Sequence, residues 1–189
     1  WIMVVIVILL SIPVIQNLIG PGQAMNRSFN QLSLVNTYGA FGSIGKVRPE
    51  LIIEGTNDLQ ITETTEWKEY EIPFKPGSID RGLPIVAPYQ PRIAWQIWFA
   101  AMQSPQRNPW LIHLTWKLLH NDPLALKFIE YNPFPGGPPN FIRIQVYKYE
   151  FVEPWKEGVW KRELLGTWLP PLSKENSQLQ AFIKANKWE

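Results

Sequence analysis

The side chains able to do chemistry in this sequence are few and badly spaced for it. His113 and His120 are the only histidines, and they sit seven positions apart. Metal-binding pairs on a helix use spacings of three or four and need a third ligand. With Lys117 between them, the two histidines read as part of a solvated face. Cysteine is absent, which removes thiolate metal sites and any disulfide framework. Glu63, Glu66, Glu69 and Glu71 crowd one segment, but nothing beside them pairs a nucleophile with an oriented base. No serine lies in a GxSxG turn. The run from Tyr38 to Lys46 imitates a phosphate loop, yet Ala40 stands where such a loop needs glycine and Val47 where it needs Ser or Thr. These residues predict no catalytic group, no metal and no cofactor. Only the paired carboxylates of a glycosidase, which any part of a fold can supply, keep a hydrolytic reading open.

Arginines and aromatics carry more of the signal. Arg48, Arg92 and Arg162 each lie beside an apolar element, where a guanidinium clamps a carboxylate or a chain of carbonyls, or else meets a partner. Trp67, Tyr89, Trp95, Trp98 and Trp160 read first as core and second as a ligand platform. Gln96 follows Arg92 by four residues and shares its stripe. The candidate structural or partner-binding set is therefore Arg48, Trp67, Tyr89, Arg92, Trp95, Gln96, Trp98 and Arg162.

The elements that must position this set form an α+β pattern. Ala87 to Ala101 holds a helix that starts at Pro91, where no N–H is needed. Apolar on nearly every face and about a dozen residues long, it is too short for a bilayer about 30 Å thick, and is expected as a central core helix. Trp110–Leu119 makes a second helix, and Asp122-Pro123 caps and starts a third running to Glu130. Strands are expected at Leu51–Glu54, Trp67–Phe74, Phe141–Val152 and Val159–Trp168. Within the third of these, apolar parity switches from Ile142, Ile144 and Val146 to Tyr147, Tyr149 and Phe151, which predicts a bulge or a second neighbour. The fold class is an antiparallel sheet or sandwich with a helical insertion, preceded by one transmembrane helix. Residues 1–20 are that helix, uncharged and rich in Ile and Val, without the basic start or small-residue cleavage site of a signal peptide. It reads as the last such helix of a longer protein. Residues 21–36 are a connector, whose Asn26-Arg27-Ser28 matches a glycosylation sequon by chance so close to the helix. Residues 37–172 are the main domain and 173–189 a weakly amphipathic tail, free to dock or fray.

Five words occur in order: RPELIIEGTND (Arg48–Asp58), WKEYEIPFKPG (Trp67–Gly77), VAPYQPRIAWQIWFAA (Val86–Ala101), NPFP (Asn132–Pro135) and WKREL (Trp160–Leu164). Together, over Asn36 to Leu172, they resemble the C-terminal domain of the lipase maturation factor family. The family pattern has APHQPR with an acidic residue before the Trp; Tyr89 and Ala94 take those two places here. The resemblance implies a membrane protein, resident in animals in the endoplasmic reticulum, that assists secreted lipases to fold. It implies a protein client or neighbouring membrane subunits as partners, together with the lipid bilayer. A net charge of +2 without a basic cluster excludes nucleic acid. The function expected is a membrane-anchored, non-enzymatic folding or assembly factor. Its rivals are a structural accessory subunit of a membrane complex and a sugar-binding, lipid-binding or hydrolytic module on a β-sandwich.

Overall fold

The computed structural model describes every residue except 39–46, 83–84, 87, 90, 153–157 and 189. The glycine-rich stretch that imitates a phosphate loop lies almost wholly outside the described residues, as do parts of the Ala87–Pro91 lead-in to the helix. The chain divides into two compact units, Trp1–Lys46 and Val47–Glu189.

In the first unit, Ile2–Ile19 forms helix α1, with Pro13 inside it and no buried residue. It is long and apolar enough to cross a membrane. Asn17 then pins the chain after the helix, accepting from the Ala24 amide at 2.7 Å and donating to its carbonyl at 3.0 Å. Strands β1 (Arg27–Ser28) and β2 (Asn36–Thr37) pair antiparallel as a short hairpin.

The second unit is built on a four-stranded antiparallel sheet. Its strands are β3 (Arg48–Thr56), β4 (Lys68–Glu69), β5 (Phe141–Phe151) and β6 (Trp160–Leu172), in the order β4-β3-β5-β6. Between β4 and β5 come helices α2 (Arg92–Ala101), α3 (Pro109–Leu119) and the short α4 (Pro123–Leu126), and after β6 comes α5 (Ser177–Ala185). This is the α+β arrangement with a helical insertion that the pattern implies. The second expected strand contracts to Lys68–Glu69, with one isolated bridge from Glu71 to Tyr131. Pro73 has no N–H to give a ladder and Phe74 takes φ +63°, so the strand cannot continue.

Pleating sorts the sheet into two chemistries. Leu51, Ile53, Ile142 and Ile144 face the main core and meet Ile97, Leu111, Leu118 and Leu119 from the helices. Gly55 lies on the same face, where a Cβ would come within 2.7 Å of the Phe134 ring; only glycine allows that approach. Ile52, Tyr149 and Trp160 form a second, smaller apolar cluster. The parity switch in β5 marks this change of face. β6 also carries register shifts, one of them between Val146 and Tyr147 where the parity changes.

Helix α2 differs from expectation. It buries one stripe, Ala94, Ile97 and Ala100, rather than most of its surface. Trp95, Trp98 and Phe99 are half-buried and pack on one another with ring centroids 5.2–5.3 Å apart. A short helix lying on one sheet face has only one neighbour layer, so its remaining aromatics cluster among themselves. The helix end is fastened by Trp168, whose indole N–H reaches the carbonyls of Ala100 at 3.1 Å and Gln103 at 2.7 Å.

The cap at Asp122 forms as its sequence implies, its carboxylate accepting from the Leu124 and Ala125 amides, but α4 stops after one turn at Leu126. Just before it, α3 closes through Asn121 at φ +49°, with the Asp122 amide on the Lys117 carbonyl and the Asn121 amide on that of Leu118, the Schellman pattern. The weak tail is a core element. In α5, Leu179 and Ile183 are 3% and 1% exposed within the main cluster.

Candidate partner-binding face

The second face of the sheet brings together a cluster of paired charges and aromatic rings. Along β3 it presents Arg48, Glu50, Ile52 and Glu54; along β5, Arg143, Gln145, Tyr147 and Tyr149; along β6, Trp160, Arg162 and Leu164. β4 adds Glu69 beside Glu54. Arg162 donates to both oxygens of Glu69, at 2.5 and 3.0 Å, and to the Tyr149 hydroxyl at 3.3 Å, and its guanidinium lies over the Tyr147 ring at 4.9 Å. Arg143 reaches Glu54 at 2.6 Å and lies 4.0 Å above the Trp67 ring. The Tyr147 hydroxyl joins the two pairs by donating to Glu54 at 3.3 Å. Trp67, Arg143, Glu54, Tyr147, Arg162 and Glu69 thus form one continuous charged and aromatic lattice.

The electrostatics follow the contacts. The Glu69 carboxylate holds the Arg162 guanidinium charged well beyond its ordinary range, against the cost of burial. Burial pushes the Tyr149 hydroxyl up to about 12. Burial, with the nearby Glu54 carboxylate, also pushes Tyr147 up. Every ring hydroxyl here is therefore neutral, and the carboxylates are engaged by arginines. The charges of this face are thus directed at one another, and Glu50, Ile52, Glu54, Gln145, Tyr149 and Trp160 are buried in it.

One end of the face is closed by the segment after β4. Phe74 at φ +63° turns the chain so that Lys75, 3% exposed, enters beside the fully buried Glu50. The ammonium lies 3.4 Å from one Glu50 oxygen, and Arg48 holds the other at 2.6 Å. Lys75 also donates to the Pro76 carbonyl at 2.8 Å. Burial lowers its pKa, while Glu50 works to raise it. Tyr149 donates to the Gly77 carbonyl at 2.6 Å and the Trp160 indole to that of Arg81 at 3.0 Å. Arg81 in turn pairs with Glu130 and lies 3.8 Å from Glu71.

The eight candidate residues divide accordingly. Arg48, Trp67 and Arg162 belong to the second face, and Arg48 lies 5.5 Å from the Trp98 ring centre. Trp98 and Trp95 sit half-buried on α2. Tyr89 (73% exposed), Arg92 and Gln96 face solvent, and no described carboxylate or carbonyl meets the Arg92 guanidinium. The expectation of burial fails for Tyr89 and holds for Trp160, 4% exposed. Glu50, Glu54, Glu69, Lys75, Arg143, Tyr147 and Tyr149 were missed as a group. The Glu54–Arg143, Glu54–Tyr147 and Glu69–Arg162 pairs join residues about 90 positions apart, and only the i, i+2 alternation of charge in β3 hints at them.

On the helical side, His113 is not part of a solvated face. Its ring stacks on Trp188 at 4.8 Å, and burial lowers its pKa, helped by the Lys117 charge. It borders an apolar cleft of about 280 Å³ walled by Ile93, Trp110, Leu114, Ala125 and Phe128. His120 is exposed and bonded to the Trp116 carbonyl. Among the described residues no group of three His, Asp or Glu side chains is placed to hold a metal ion.

The Arg162 clamp is directly testable. Arg162→Lys keeps the charge but loses the two-oxygen geometry and the stacking on Tyr147. It should cost about 1.5–3 kcal/mol, the range for hydrogen bonds to a charged group, read as a lower urea midpoint at unchanged slope. A midpoint equal to wild type would show that the clamp holds nothing.

The family model for the lipase maturation factor C-terminal domain matches residues 34–170. Among curated relatives, lipase maturation factor 1 of Bos taurus is 43% identical over 97% of this chain and 34% of its own length. The human lipase maturation factor 1 is 42% identical over 95% of this chain and 32% of its own. The human lipase maturation factor 2 is 33% identical over 81% of this chain and 22% of its own. The chain thus spans about a third of the length of the first two. No solved structure matches it. With the helical insertion and the charged sheet face inside the matched region, this chain belongs to the lipase maturation factor family, whose C-terminal domain it carries.

Proposed function

We propose that this chain is the membrane-anchored, non-enzymatic part of a folding or assembly factor for a secreted lipase, working in the endoplasmic reticulum. The observation that carries the reading is the match to proteins named lipase maturation factors along nearly the whole chain. The geometry of the second face supports it, because its arginines, carboxylates and aromatic rings are spent on one another rather than arranged as a nucleophile with an oriented base. α1 supplies the anchor by its length and apolarity.

Two measurements test this. In cells lacking their own lipase maturation factor 1, a version of that protein with this chain in place of its matching third should restore secretion of active lipase. Lipase that stays inactive despite normal levels of the hybrid would overturn the reading. The chain should also remain in the membrane pellet after carbonate extraction, and release into the supernatant would remove the anchor. A stable, stoichiometric complex with neighbouring membrane proteins, in place of transient lipase association, would favour the accessory-subunit reading.

A further inference from the structure

β6 is the last strand of its sheet, and no described strand lies beyond it. The direction of its free backbone groups follows from the bonds at its start. The Val152 amide donates to the Val159 carbonyl at 3.3 Å, so these two residues face each other across the hairpin. The next pair is Phe151 with Trp160, and the Trp160 amide turns away from β5 to the Ile79 carbonyl at 3.0 Å. Backbone groups alternate in direction along an antiparallel strand. Arg162 and Leu164 follow at two-residue steps, paired with Tyr149 and Tyr147 without a shift, so their N–H and C=O groups also point out of the sheet. Ile79 covers this edge at Trp160.

The far end of β6 is closed to pairing. Leu165 is an extra residue, since Tyr147 pairs with Leu164 and Val146 with Gly166, which makes a bulge. Pro170 and Pro171 then have no amide to give. Bulges and prolines are the usual protection of a sheet edge. Between the Ile79 cover and this bulge, Lys161 to Leu164 carry neither a bulge nor a proline; Leu164 is 53% exposed there, with the bulged Leu165 beside it at 54%. On the opposite face Lys161 and Glu163 stand beside Glu150 and Lys148, a mixed-charge, wet surface.

We propose that the Lys161–Leu164 edge of β6 docks an extended segment of an incompletely folded client polypeptide, which adds to the sheet as a further strand. This deepens the folding-factor reading and rests on it. Outward N–H and C=O groups repeating every second residue are complemented along their length by another extended backbone. The side chains set its pattern: apolar residues against Leu164 and Leu165, alternating with polar ones beside Lys161 and Glu163. An unfolded segment destined for a half-buried strand has that pattern. A second copy of this chain fits less well. Antiparallel self-pairing about Arg162 sets two Arg162 residues opposite each other and calls on the Trp160 amide that Ile79 already occupies. Self-pairing about Leu164 sets Glu163 against Leu165.

The test uses the detergent-solubilised full chain and a fluorescent peptide of roughly eight alternating Val and Thr residues with a Lys at each end. Its comparator is the same peptide N-methylated at every second amide, which keeps the side chains and cannot complete a ladder. The unmodified peptide should bind at least about tenfold more tightly, and should slow amide exchange at Arg162 and Leu164. Leu165→Lys should weaken its binding about fivefold or more at unchanged Tm. Equal binding of the two peptides, or no added protection at those amides, overturns the proposal. So does a dimeric chain in which the same amides are already protected without peptide. If the peptide does not bind while the hybrid protein still restores lipase secretion, the edge is refuted and the folding-factor reading stands. If the peptide binds but the hybrid fails, the folding-factor reading falls instead.

Discussion

Glu50→Gln should destabilise the second unit by about 3–5 kcal/mol, because it leaves a buried ammonium without its counter-charge. Glu50 is fully buried and Lys75 is 3% exposed, so water cannot replace the lost carboxylate. A domain stability of about 5–15 kcal/mol would be largely consumed. The pH dependence identifies the cause. Burial already lowers the Lys75 pKa in the folded protein, and the unfolded chain restores the ordinary value near 10.4. Between those two values the unfolded state binds more protons, so this group's contribution to stability rises with pH. Removing Glu50 takes away the group that raises the Lys75 pKa and widens that window. The deficit of Glu50→Gln should therefore shrink as the pH is raised from neutral toward 10, as seen in urea unfolding at several pH values. A deficit that does not change with pH would mean that glutamine disturbs packing rather than charge. The double replacement Glu50→Leu with Lys75→Met should recover most of the loss, since a buried ion pair replaced by apolar groups of similar volume is often neutral or stabilising.

Ile97→Ala should be nearly as damaging, at about 2–5 kcal/mol. Ile97 is fully buried in the stripe of α2 that meets the sheet, and α2 is held there at its far end by Trp168. A cavity at this point loosens the helix that carries Trp95 and Trp98. Trp98→Ala gives the contrast. Its ring is half-buried and touches Trp95, Phe99 and the Arg48 guanidinium, so it should cost less than Ile97→Ala despite removing far more side chain. Thermal unfolding of the two variants side by side checks the order. If Trp98→Ala proves the more destabilising, α2 is embedded more deeply than its exposure pattern indicates.

Much of the architecture was legible in the residues. Most of the sheet, the three-helix insertion and the apolar N-terminal helix have a local signature: alternation in Ile142–Val146, the Asp122-Pro123 cap, and the uncharged run from Trp1 to Ile19, whereas the alternation in Tyr70–Phe74 lies just past the two-residue β4. The parity switch in β5 located the change from one apolar cluster to the other. The boundaries were less legible. β3 extends to nine residues where four were expected, because Arg48 and Glu50, polar by type, are paired on the second face. α2 reads as apolar all round, yet hydrophobicity does not say how many neighbours a helix will have.

The sequence alone determined the class of fold, the family, and which segments are apolar enough to need a partner, because periodicity and residue type act over a few neighbouring positions. Tertiary structure decided what those segments bury against. It placed Glu69 on Arg162 and Glu54 on Arg143, pairs separated by 93 and 89 residues. It drew Lys75 into the interior through the turn at Phe74, packed α5 into the main cluster, and left β6 as an edge. These depend on register and on which strand lies beside which. Such pairings form between distant parts of the chain, where a one-residue slip would send every charge of the second face to the opposite side of the sheet.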